Sequence, residues 1–145
     1  MTHELYKEVT LKEVLDALKT ESGLVPMKFN YYDSKSDLPR EGEMVHCACA
    51  LGNAAVNLGC TPYSLYDALN FEEQEYAEDR FPILGDKVCD LNDNQAKAWP
   101  EIAETIEGIL IADGVLFDTK IEVRKAIWEK VDDSHYVYKN YVGEE

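Results

Sequence analysis

Glu43-Met44-Val45-His46-Cys47-Ala48-Cys49-Ala50-Leu51-Gly52-Asn53-Ala54-Ala55-Val56-Asn57-Leu58-Gly59 is the stretch on which the reading of this chain turns. On a helical wheel of about 100° per residue, Cys47, Leu51, Ala54, Ala55 and Leu58 share one face. Cys49, Gly52 and Val56 fall on the other side. Only His46, Asn53 and Asn57 remain as a narrow polar strip. A helix apolar on nearly every side is a buried one, and small residues let its neighbours come close. The stretch predicts a central helix over about 44–58, stopped by Gly59. Asn53 and Asn57 are expected to satisfy neighbouring backbone groups, because buried polar groups are almost always bonded.

Other elements follow outward from it. Thr10-Leu11-Lys12-Glu13 has the form of a capping box and predicts a helix over about 10–21. Met27–Tyr32 is aromatic and extended in character, and 33–42 is a polar loop. Thr61-Pro62 starts a helix with an N-cap and a proline at its first position. Residues 81–91 predict another helix, interrupted near Gly85, and 91–94 a turn. Trp99-Pro100 opens a long helix ended by Gly114. Asp118 or Thr119 caps a last one, with Val123, Ala126, Ile127 and Val131 on its inner stripe. Tyr136–Val142 is β-prone and is expected to pair with 27–32. The fold class expected is mainly α: five or six helices around the 44–58 helix, with a small two-stranded β element, in a single domain over 1–145.

Charge is the unusual feature. The 145 residues carry 14 basic and 29 acidic side chains, a net of −15. Residues 1–66 hold nine acids and six bases; residues 67–145 hold twenty acids and eight bases. Such a field repels phosphate backbones and anionic membranes and attracts basic proteins. Glu72, Glu73, Glu75, Glu78 and Asp79 flank Tyr76 and Phe81. Carboxylates around aromatics suit the capture of a basic groove, since aromatics supply contact area and acids supply steering. These seven residues are the expected binding surface, and proteins that imitate DNA carry similar distributions. The start of the chain has no basic region followed by an apolar run. No stretch reaches the roughly 20 apolar residues of a membrane span. A cytosolic location is expected, with Cys47, Cys49, Cys60 and Cys89 reduced.

Cys49-Ala50-Leu51-Gly52, the later Leu91-Asn92-Asp93 and the helix opened by Trp99-Pro100-Glu101-Ile102 form a layout over roughly 44–112. It resembles a family of small uncharacterised domains found in phages and actinobacteria, marked by a Cys-Ala-Leu-Gly helix, a later Asn-Asp turn and a following helix. The resemblance implies a phage or mobile-element context and a structural role for the Asn-Asp turn. It implies no activity.

The cysteine spacing contains no pair with the separation usual in zinc sites, so neither a metal nor a cofactor is expected. A thiol hydrolase or transferase can be drawn with Cys49 or Cys47 as nucleophile. His46, three positions from Cys49 and so its neighbour on a helix, would serve as base, and Asn92 or Asp93 would orient the imidazole. The leading expectation is instead a non-enzymatic phage accessory protein. It would bind a basic surface of a host protein in the host cytosol, such as a nucleic-acid enzyme, as an anti-defence inhibitor or DNA mimic. The sequence leaves the oligomeric state open.

Overall fold

The computed structural model describes residues 6–28, 31–33, 42–70, 84–95, 97–112 and 114–140. In chain order these form β1 (Tyr6–Thr10), α1 (Leu11–Lys19), β2 (Val25–Pro26), β3 (Met44–Val45), β4 (Cys47–Ala48) and α2 (Ala50–Leu58). There follow α3 (Pro62–Leu69), α4 (Leu84–Asp93), α5 (Trp99–Ala112), β5 (Lys120–Arg124), β6 (Ile127–Asp132) and β7 (His135–Asn140). The fold is therefore mixed α and β, with three small sheets among the described residues. This corrects the expectation of a mainly helical chain. Among the described residues, no helix is long and apolar enough to cross a membrane.

The centre is where the sequence places it. Every residue from Ala50 to Val56 is buried, and α2 packs against α1, α3 and α4. The helix is shorter than expected, because residues 44–49 are extended. Their backbone groups are taken by strand partners and side chains, which leaves nothing for a helix to claim. His46 O accepts from Val25 N at 2.9 Å, Ala48 O accepts from Met27 N at 2.9 Å, and Asp33 Oδ1 accepts from both His46 N and Cys47 N. Cys49 then stands as N-cap, in extended backbone, with its sulfur accepting from Gly52 N. Gly59 ends α2 in the left-handed region at φ 76°, where glycine carries no Cβ penalty.

The second correction concerns 118–131. Of the stripe assigned there to a helix, Val123, Ile127 and Val131 lie in strands and Ala126 between them; Val123 and Ala126 are buried, whereas Ile127 and Val131 are exposed. Along Lys120–Arg124, Ile121 and Val123 are buried and their neighbours are not, a period of two. β5 pairs antiparallel with β1, Val9 facing Ile121, and α3 packs on β5. β7 pairs antiparallel with both β3 and β6, so it does not pair with 27–32 as expected. Trp128, Tyr32 and Tyr138 form an aromatic corner behind that sheet, with ring centroids 4.9 and 5.1 Å from Trp128. The third correction is smaller: α4 runs over Leu84–Asp93 and so includes Asn92 and Asp93, which puts the expected turn beyond them; residues 81–83, where the helix is expected to begin, lie outside the described residues.

One cluster of buried side chains extends from Val9 to Tyr136. α1 and α4 flank α5 through its buried stripe of Trp99, Ile102, Ala103, Ile106 and Leu110. The opposite face of α5 carries Glu101 and Glu104 to solvent.

Candidate functional site

The N-terminus of α2 is the place where the residues singled out by sequence meet. Cys49 N–H donates to Tyr31 O at 3.1 Å. Ala50 N–H donates to Asn92 Oδ1 at 3.1 Å, while Asn92 Nδ2 donates to Met27 O at 3.0 Å and to Asp93 Oδ1 at 2.7 Å. One carboxamide thus ties together α4, the start of α2 and the segment after β2. Gly52 is required by the same crowding. A Cβ there would sit 2.4 Å from Tyr31 O, inside any real contact.

The chemistry at this point is that of packing. Cys49 is 6% exposed. Burial pushes its thiol up to about 11, against the opposing pull of the Gly52 and Leu51 N–H groups, and the Asp93 carboxylate pushes it further. Cys89, on α4, is pushed up to about 12 by burial and then by its nearness to Cys49, Asp93 and Asp86. Tyr31 is raised as well, by burial first and then by Cys89 and Cys49. Burial and then Asp33 raise Cys47. The thiolate is the nucleophile in any cysteine mechanism, and each of these environments suppresses it. Asp93 does come beside Cys49, but with the sign that keeps the proton on sulfur.

His46 is turned to other partners. The helical spacing that would set it beside Cys49 does not exist, since 46–48 is extended and successive side chains of a strand alternate faces. Its ring stacks on His135 at 4.5 Å and 15°, and its Nδ1 faces Ser134 O at 3.0 Å. His135 Nδ1 lies 2.8 Å from Asp132 Oδ1. The described structure therefore joins Cys49 with Asp93 and sends His46 to the β6–β7 hairpin. Among the described residues, no group of three or more histidine, cysteine or acidic side chains is placed to hold a metal ion.

Asn53 and Asn57 have a structural task. Asn53 is wholly buried. Its Oδ1 accepts from Ser22 N and its Nδ2 donates to Thr20 O at 3.0 Å. Asn57 Nδ2 donates to Ala17 O and Thr20 O at 2.9 and 2.8 Å. Together they close the C-terminal carbonyls of α1, groups that a helix cannot satisfy itself.

The expected acidic binding residues Glu72, Glu73, Glu75, Tyr76, Glu78, Asp79 and Phe81 lie outside the described residues. Among the described carboxylates, α5 holds Glu101, Glu104 and Glu107 and no basic residue. Glu101 pairs with Lys97 at 3.4 Å, and no ion pair forms at Glu104 or Glu107 among the described residues. Sequence reasoning missed the His46–His135 stack and the surroundings of Trp99, because both depend on contacts between distant segments. Comparison with family models, with curated proteins and with solved structures finds no match to this chain.

Proposed function

We propose that this chain is a binding protein rather than an enzyme, and that its surplus carboxylates engage a basic surface of a partner protein. The observation that carries the reading is the charge: −15 overall, with twenty acids against eight bases in residues 67–145. Two further features support it. The outer face of α5 presents acids without bases, and the Cys49 and Cys47 thiols that a hydrolase would need are both raised, first of all by burial. A surface of this sign follows a basic groove of the kind that otherwise holds a phosphate backbone. The phage resemblance makes a nucleic-acid enzyme of the host the natural partner.

Capture from a host lysate tests this with three immobilised proteins: wild type, Glu104→Lys/Glu107→Lys, and a variant with Glu72, Glu73, Glu75 and Glu78 changed to Gln. Mass spectrometry of the retained material is expected to show a basic protein held by wild type and lost from at least one variant. A retained set that is the same for all three proteins contradicts the reading.

A further inference from the structure

Glu101, Glu104, Gly108, Ile111 and Ala112 are all exposed, and their spacing of three and four residues makes them the outward face of α5. Three features of this face have no use within the fold. Its ionisable side chains, with Glu107 on the flank, are all acidic. Among the described residues only Glu101 is paired, with Lys97 at 3.4 Å. On the neighbouring α1, Lys12 is held by Asp16 at 3.6 Å. Next, two large apolar side chains stand at the C-terminal end. Ile111 is 64% and Leu116 69% exposed, more than any other large hydrophobic side chain among the described residues. Gly114 N donates to Ile111 O at 3.1 Å and Val115 N to Leu110 O at 2.9 Å, which turns the chain back and keeps Leu116 close to the last turn. Lastly, Gly108 stands at the centre of the face. A Cβ there would meet nothing within 4 Å, and its backbone is helical. Neither packing nor conformation in this chain calls for glycine, which a helix interior disfavours against alanine. What a missing Cβ does provide is close approach of another backbone.

We propose, on the reading of the carboxylates as a partner surface, that this face docks a basic amphipathic helix of the partner protein. Lysine or arginine side chains of that helix meet Glu104 and Glu107. Its apolar stripe covers Ile111 and Leu116, which supply contact area that acids alone do not. Its backbone crosses at Gly108, where two helix axes can approach to the low end of the usual separation of about 8–10 Å. Helix recognition is read through anchors at i, i+3, i+4 and i+7, and Glu104, Glu107, Gly108 and Ile111 occupy those positions. Charge decides against other occupants. A second copy would set carboxylates against carboxylates, since α5 holds no base, and like charges across an interface are costly. A phosphate backbone is repelled for the same reason.

The test uses the full-length protein, ¹⁵N-labelled, and two synthetic helical peptides as long as α5, 14 residues. One peptide carries lysine on one face and leucine on the other. The second has alanine in place of each leucine, which keeps the charge and the helix and removes the apolar stripe. The expected result is a saturable shift of the Glu104, Glu107, Gly108, Ile111 and Leu116 amide signals with the leucine peptide. The alanine peptide should bind about tenfold more weakly. Ile111→Ser/Leu116→Ser and, separately, Gly108→Leu should each weaken the leucine peptide by about fivefold or more. If a variant does not fold, the wild-type shift map and the peptide pair decide alone. Equal binding of the two peptides, folded variants that bind as wild type does, or shifts confined to residues 67–83 overturn the α5 docking face and leave the carboxylate reading standing. Movement of the same signals with protein concentration alone would give the face to a second copy and overturn it too. No saturable binding of either peptide takes both readings down.

Discussion

At Asn92 a single side chain holds three segments: its oxygen takes Ala50 N–H, and its amide serves Met27 O and the neighbouring Asp93. Removing it strands a buried donor, costing about 1–3 kcal/mol, and a part-buried acceptor that costs less. Asn92→Ala is therefore expected to lower the unfolding free energy by about 2–3 kcal/mol in urea. A change below about 0.5 kcal/mol would show that the clamp is not made. Cys60 gives a second residue-scale prediction, through pH. It is fully buried, and burial pushes its thiol up to about 12 from 9.0, with the Lys7 ammonium pulling modestly the other way. Below pH about 9 the thiol is protonated whether folded or not, and its contribution is fully present. Above that value the unfolded chain releases the proton while the folded chain keeps it. Stability therefore falls as pH rises toward 12, by about 1 kcal/mol per pH unit from this group. Urea unfolding at pH 8.5 and 10.5 should show wild type losing more stability than Cys60→Ala. Parallel losses would mean that the thiol is not held protonated by the fold.

Two glycines separate the demands made on elements. Gly52 in α2 has the Tyr31 carbonyl where its Cβ would be, whereas Gly108 in α5 has nothing within 4 Å. Gly52→Ala should destabilise by several kcal/mol, because backbone must move to admit the methyl group. Gly108→Ala should stabilise by about 1 kcal/mol, the helix-propensity difference at an open site. Thermal unfolding followed by circular dichroism reads both; shifts of the same sign would refute the packing described for α2. The legibility of each element has the same local logic. α1 and α3 are readable because Thr10 and Thr61 announce their starts, and both cap as expected. Residues 44–49 are not, because a run of small apolar residues has no period, and the contacts that extend it come from Asp33 and Met27. β5 and β6 are misread because Val123, Ala126, Ile127 and Val131 also fit a helical stripe; only the pairing with β1 and β7 settles the period. The sequence offers Asp93 as a partner for the His46 imidazole; that it comes to bear on the buried Cys49 thiol instead, and with the sign that keeps the proton on sulfur, depends on contacts between distant segments that the sequence does not show.

For the whole molecule, charge sets both stability and recognition. An excess of fifteen negative charges repels itself in the compact state, and salt screens that repulsion over a Debye length of about 10 Å at 0.1 M. The melting temperature should rise between 10 and 300 mM sodium chloride. A flat or falling response would mean that the carboxylates are already neutralised in pairs. Recognition runs the other way, since the same ions screen the attraction to a basic partner. Isothermal titration of the captured partner at 50 and 300 mM salt puts the central claim to its most direct test. Recognition by surface carboxylates predicts that affinity falls by about tenfold or more across that range. An affinity that is unchanged or rises with salt would contradict it and place recognition elsewhere on the molecule.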